Sequence, residues 1–190
     1  MKDRIKEQSI RLFERKGFSE TSIQDIVEAL NVTKGTFYYY YSSKEQLLMK
    51  IHEEYIDDLL ERQRKITDSD VNQKEKLKGI IHLLISDIAR NGDSGKVFFR
   101  EMRHLTEENA IEIKKSREQF RLTIEETIRL GMEKGEFRAQ LRPDMTALAV
   151  LGITNWTYQW FNTTGELAAD ELAEIYSSIV LDGINEPKKG

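Results

Sequence analysis

The chain has 190 residues, 39% of them hydrophobic and 33% charged, a formal net charge of −4 and no cysteine. Such a composition fits a folded, polar-surfaced chain of one or two domains, and it excludes disulfides, thiolate metal sites and cysteine nucleophiles. No apolar run approaches the ~20 residues of a membrane span, and the charged opening Met1–Glu7 lacks the apolar stretch of a secretory leader, so the expected location is cytoplasmic.

Apolar residues recur with a 3.6-residue period almost throughout, which predicts an all-α fold of about nine helices. Gly17 closes a first helix over about residues 2–16. Thr21-Ser22-Ile23-Gln24 reads as a capping box that opens a second helix, with Ile23, Ile26, Val27 and Leu30 along its inner face. Asn31 suits a left-handed turn residue, and Thr33 a cap for a short third helix. Ser42 and Ser43, with Glu45 and Gln46, offer another capping box before a long helix over about 43–66. Helices over about 73–90, 94–105 and 108–134 follow. The first of these carries the stripe Leu77, Ile80, Ile81, Leu84, Ile85 and Ile88. Arg142-Pro143-Asp144 starts a helix that runs to about 162, with proline in its first turn. A last helix spans about 167–184, and Glu186–Gly190 is a tail.

The segment 22–46 carries the chemistry. Two short helices about a tight turn at Asn31-Val32 form a helix-turn-helix, with Ile26, Val27, Leu30, Val32 and Phe37 at its core positions. The second helix turns Thr33, Lys34, Gly35, Thr36, Tyr38 and Tyr39 outward: small residues for close approach, and hydroxyls and a charge for base edges and phosphates. On the residues alone, a major-groove reader and a small polar helical hairpin both fit. Charge is distributed with the sign a DNA-binding end would have: residues 1–50 hold nine Lys/Arg against seven Asp/Glu, and the remaining chain is acidic. The net charge of −4 argues against a nonspecific architectural DNA protein. An enzyme finds little support, with three scattered histidines, no glycine-rich phosphate loop and no G-x-S-x-G turn. His104 has no second soft ligand nearby, so no metal site is expected.

Residues 9–48, with Leu12-Phe13, Gly17-Phe18, Thr21, Ile23, Ile26, Val32-Thr33-Lys34-Gly35-Thr36-Phe37-Tyr38, Lys44-Glu45 and Leu47-Leu48, strongly resemble the DNA-binding domain of the TetR family of bacterial transcriptional regulators. Lys134-Gly135-Glu136-Phe137-Arg138 and Pro143-Asp144 resemble the family's connection between its seventh and eighth helices. Ser9 stands where the family usually has alanine, and Tyr41 where it usually has phenylalanine. The resemblance implies a helix-turn-helix domain over 1–46 and a ligand-binding and dimerisation domain over 47–190. It also implies no cofactor, and a ligand-responsive regulator, usually a repressor, acting on a double-stranded operator. It assigns DNA contacts to Thr21, Ser22, Thr33, Lys34, Gly35, Thr36, Tyr38, Tyr39 and Lys44, with Tyr38 and Lys44 on phosphates and Tyr40 packed inward. Stacking of the tyrosines on single-stranded bases is the competing reading of that cluster.

One such hairpin binds weakly, whereas two in a symmetric dimer read half-sites about 34–36 Å apart or a multiple of that. The resemblance pairs the last two helices with their symmetry mates, through Leu148, Leu151, Gly152, Asn155, Leu172, Ile175, Tyr176, Ile179 and Val180. Phe98, Phe99, Met102, Arg103, Phe120, Trp156 and Trp160 are either plain core or the lining of an apolar effector cavity. Asn155–Phe161 resembles a signature of the family branch that includes regulators answering to acyl-coenzyme A thioesters. An acyl chain would fill the cavity, and Arg/Lys at its mouth would take the phosphates. The alternative effector is a lipophilic drug, with an efflux pump as the regulated target.

Overall fold

The computed structural model describes residues 1–185, so the Glu186–Gly190 tail lies outside the described residues. Nine α-helices and one 3-10 turn follow one another within that span: α1 Lys2–Lys16, α2 Ile23–Ala29, α3 Lys34–Tyr40, α4 Lys44–Thr67, α5 Gln73–Arg90, α6 Gly92–Arg100, the 3-10 turn Glu101–His104, α7 Glu107–Glu133, α8 Pro143–Trp160 and α9 Ala169–Ile184. The expected helix over 94–105 thus divides into α6 and the 3-10 turn. Among the described residues the only β-type pairing is an isolated bridge between Phe137 and Asn185. None of the described helices is long and apolar enough to cross a membrane.

The chain forms two compact units, Met1–Asp58 with Asn91–Lys115, and Leu59–Arg90 with Ser116 onward. These packing units do not follow the expected sequence division at 46/47. The first half of α4, together with α6, the 3-10 turn and the start of α7, belongs to the same unit as the three short helices.

In the first unit, Ile5, Leu12 and Phe13 of α1, Phe18, Ile26 and Val27 of α2, Phe37 of α3, Tyr41, and Leu47, Leu48 and Ile51 of α4 share one core with Val97 of α6. Each large apolar side chain so buried contributes about 1.5–3 kcal/mol. The two departures from the family pattern are accommodated locally. Ser9 is buried and donates its hydroxyl to the Ile5 carbonyl at 2.7 Å. Tyr41 is buried, and that burial, with Glu54 and Asp3 nearby, pushes its phenol up to about 12. Buried His52 sets Nδ1 2.9 Å from the Leu48 carbonyl and Nε2 3.1 Å from the Phe98 carbonyl, joining α4 to α6.

In the second unit, α5 buries Leu77, Ile80, Ile81, Leu84 and Ile85 and packs against α8 and α9. Arg62 bonds buried Asp87, and Gln63 Nε2 donates to the Phe120 carbonyl at 2.9 Å. Between α7 and α8 the chain folds back at Gly135, whose φ of +69° is left-handed, and sets buried Phe137 over Gly131. A Cβ at Gly131 would lie 2.2 Å from the Phe137 ring, so only glycine permits that approach.

Candidate nucleic-acid interface

The helix-turn-helix is held together by a few identifiable contacts. Ser22 caps α2: its hydroxyl accepts from the Asp25 amide at 3.1 Å, while the Asp25 carboxylate accepts from the Ser22 amide at 2.8 Å. That reciprocal bonding to Ser22, with Lys16 adding to it, holds the Asp25 carboxyl below its ordinary range. The capping box is thus Ser22/Asp25 and not Thr21/Gln24. Thr21 is fully buried and donates its hydroxyl to the Gly17 carbonyl at 2.8 Å, so the expectation of a DNA contact there is corrected. Its hydroxyl is consumed in closing the α1–α2 turn.

Asn31 takes φ +53° in the turn, and Val32 N–H returns to the Val27 carbonyl at 2.9 Å. Thr33 then caps α3, accepting from the Thr36 amide at 3.3 Å, with the two threonine hydroxyls 3.2 Å apart. Phe37 anchors α3 in the core, and half-buried Tyr40 packs beside it. The opposite side carries exposed Thr33, Lys34 and Gly35, half-exposed Thr36, and two unusually open rings, Tyr38 at 54% and Tyr39 at 80% exposure. Hydroxyl, ammonium and small residues on one face of a short helix are the groups that meet base edges and phosphates.

Lys44 has a role the pattern of residues did not reveal. Its ammonium donates to the carbonyls of Phe18 and Thr21, both at 2.7 Å, and sits 4.2 Å from the centre of the Phe18 ring. The lysine therefore clasps the α1–α2 turn to the start of α4, with two of its three N–H groups spent on carbonyls.

The remaining expected site residues divide between the units. Phe98, Phe99, Met102 and Arg103 lie in the first. Phe98 is buried there, its ring against His52, Tyr55 and Phe99. Arg103 is exposed, with Nε 3.3 Å from His104 Nε2. Phe120, Trp156 and Trp160 lie in the second, where Phe120 is buried. Trp156 and Trp160, expected as plain core or as cavity lining, are instead 65% and 47% exposed. They continue the exposed line Leu148, Gly152 along α8, because residues four apart share a helix face. On α9, Ile175 and Ile179 are open, and Tyr176 and Val180 half-buried, as are Leu151 and Asn155 on α8. Leu172 is corrected: it is 3% exposed within the single chain and belongs to that unit's own core. Of the basic residues, Arg121 is held by Glu118 and Glu125, which raise its pKa, and Arg100 donates to the Glu14 carbonyl at 3.0 Å. Among the described residues no cluster of three His, Asp or Glu could hold a metal ion.

A capped, seven-residue helix set after a left-handed turn, apolar on one side and hydroxyl-rich on the other, defines a helix-turn-helix DNA-binding protein. Residues 5–51 match the family described as bacterial regulatory proteins, tetR family, and residues 70–184 match the tetracyclin repressor-like C-terminal domain. The chain belongs to the TetR family of DNA-binding transcriptional regulators, which are not enzymes. Among its relatives, the HTH-type transcriptional repressor KstR2 of Rhodococcus jostii is 26% identical over 178 residues, spanning 93% of this chain and 87% of that protein. The solved structure of the ketosteroid transcriptional regulator KstR2 of Mycobacterium tuberculosis superposes with a TM-score of 0.91 over 98% of this chain and 95% of that one; at 24% identity it speaks to the fold alone. AibR, solved in complex with isovaleryl coenzyme A and operator DNA, is 26% identical, with a TM-score of 0.85 over 94% of this chain and 96% of that one.

Proposed function

We propose that the chain acts in the cytoplasm as a homodimer whose two α3 helices read a near-palindromic operator, and that an acyl-coenzyme A thioester releases it. The likeness to AibR, whose structure holds both isovaleryl coenzyme A and operator DNA, carries the choice of effector. The open apolar line supports the dimer: Met145, Leu148, Trp156 and Trp160 on α8, with Ile175 and Ile179 on α9, are all at least 46% exposed. Open apolar residues that share a helix face mark an interaction surface more readily than ones scattered singly. Trp156 and Trp160 pass from the effector site to this surface. The Asn155–Phe161 motif therefore no longer argues for the effector, which rests on the likeness alone.

Release is a population shift. The thioester binds more tightly to the form whose α3 helices are spaced wrongly for the two half-sites, because a ligand with equal affinity for both forms moves nothing. Helix α4, which runs from the first unit into the second, is the continuous element through which the two are coupled.

The test is fluorescence anisotropy of a labelled duplex from the protein's own upstream region. Isovaleryl, octanoyl and palmitoyl coenzyme A are added in turn, with free coenzyme A as control. At saturation one thioester is expected to weaken operator affinity at least 5-fold, the lower end of ordinary allosteric coupling. Affinity unchanged by all three thioesters refutes the choice of effector, whatever the DNA binding itself proves to be.

A further inference from the structure

A groove of about 220 Å³ opens in the first unit where α1, α3 and α4 meet, lined by Lys2, Tyr40, Tyr41, Gln46, Lys50 and Glu53 with the buried Met49. We propose that this groove seats the sugar–phosphate backbone of the operator beyond the base pairs that α3 reads, with Lys2 and Lys50 as its phosphate-binding cations. The inference rests on the DNA-binding reading and adds two residues to it that the helix-turn-helix pattern does not contain.

Placement comes first. Tyr40 is the last residue of α3, and α4 begins at Lys44, so the groove is continuous with the recognition helix and with the N-terminal end of α4. A duplex lying along α3 has its backbone beside that end. Lys50 stands six residues into α4 beyond Lys44, about 9 Å along the axis. Side chains on a helix lean toward its N-terminus, so the Lys50 stem points back along that distance.

Charge comes second. Three other lysines of the unit are committed to internal partners: Lys6 to Glu54, Lys16 to Asp25 at 3.6 Å, and Lys44 to two carbonyls. Lys50 is paired with Glu53, at 3.2 Å, and both side chains are about two-fifths exposed. An ion pair so open to water is worth no more than about 1 kcal/mol, so a phosphate oxygen can replace the Glu53 carboxylate. Lys2 is exposed at the start of α1. The floor is closed by Tyr41, whose phenol stays neutral across the working range, its pKa being pushed up to about 12. The groove is also smaller than the roughly 300–1,000 Å³ of ordinary small-molecule sites, and a backbone segment held by two cations needs less enclosure.

Operator affinity is measured by anisotropy from 50 to 200 mM salt, using the full chain and the variants Lys2→Ala, Lys50→Ala, Lys50→Arg and Glu53→Gln. Each alanine is expected to lower the salt slope by about 0.9, which is about a 3-fold change in the wild-type-to-variant ratio across that range. The loss should be equal on operator and scrambled duplex, because phosphates carry no sequence. Lys50→Arg should restore the slope, and Glu53→Gln should bind more tightly than wild type because it releases Lys50. Thermal midpoints are recorded for every variant, so that a folding defect is not read as a lost contact. Unchanged slopes in both alanine variants, or weaker binding by Glu53→Gln, overturn the proposal while the helix-turn-helix reading stands. A wild type that binds no duplex overturns that reading as well.

Discussion

Replacing Lys44 by methionine isolates the clasp between the α1–α2 turn and α4. Methionine keeps the stem and its contact with the Phe18 ring, and removes the ammonium. Two hydrogen bonds from a charged donor, both at 2.7 Å, are lost together with the placement over that ring. Bonds to charged groups contribute about 1.5–3 kcal/mol each and a cation over a ring about 0.5–1. The lower values apply, because Lys44 is only half-buried and the Phe18 carbonyl keeps the Thr21 amide at 3.3 Å. The expected loss is about 3.5 kcal/mol, confined to the first unit. The chain allows the units to be followed separately by spectroscopy: both tryptophans lie in the second, and tyrosines 38–41 and 55, five of the seven, lie in the first. Urea unfolding followed by near-ultraviolet tyrosine signals should shift to lower denaturant, while the tryptophan fluorescence transition moves less. Operator binding should weaken even in the absence of denaturant. A tyrosine transition displaced by less than 0.5 kcal/mol would falsify the clasp and return Lys44 to a purely phosphate-binding role.

Three further perturbations have outcomes of definite sign. Tyr41→Phe tests the buried phenol. The folded pKa of about 12 lies above the ordinary value near 10, so the neutral-phenol contribution is complete below about pH 10 and is lost as pH rises toward 12. The loss is on the order of 2 kcal/mol. The variant should lack that alkaline decline in a pH series of unfolding midpoints, and an identical decline in both proteins refutes the assignment. Gly131→Ala would ordinarily stabilise a helix interior by about 1 kcal/mol. Here the new Cβ would lie 2.2 Å from the buried Phe137 ring, so a net loss of about 1–2 kcal/mol is expected by calorimetry, and a gain contradicts the packing. Trp156→Glu combined with Ile179→Glu places two charges on the open α8–α9 face and should reduce the mass seen by light scattering from that of two chains to the 22.2 kDa of one. A mass still that of two chains contradicts the proposal that this face pairs the chains.

Helix identities were legible wherever one stripe of residues had one destination. The α5 stripe from Leu77 to Ile88 repeats at helical spacing, and all of it is buried except half-buried Ile88. The α3 face was legible for the same reason, since Phe37 alone of that helix is fully buried and the polar residues have nowhere to go but outward. Sequence failed where a side chain had two destinations of similar chemistry. Thr21 and Ser22 are adjacent hydroxyls either of which can cap α2, and the choice is made by the Gly17 carbonyl, which takes the Thr21 hydroxyl and leaves the cap to Ser22. Leu172, Ile175 and Ile179 lie within one apolar stripe, yet only Leu172 of the three is buried within the chain. Trp156 and Trp160 share one exposed face of α8 with Leu148 and Gly152, and large rings at a spacing of four suit a core face and an open face equally. Lys44 could not have been read at all from its neighbours, because its partners are carbonyls 26 and 23 residues away.

The most direct measurement is hydroxyl-radical footprinting of the full chain on the duplex upstream of its own gene, beside the double variant Tyr38→Ala with Tyr39→Ala. These two rings are the most open groups on α3, so removing them leaves the core intact and strips the reading face. The expected result is two protected half-sites with centres about 34–36 Å apart or a multiple of that, and loss of that protection in a variant that unfolds at the wild-type midpoint. Protection of a single site, or a footprint the variant reproduces in full, contradicts the assignment of α3 as the paired reader of duplex DNA.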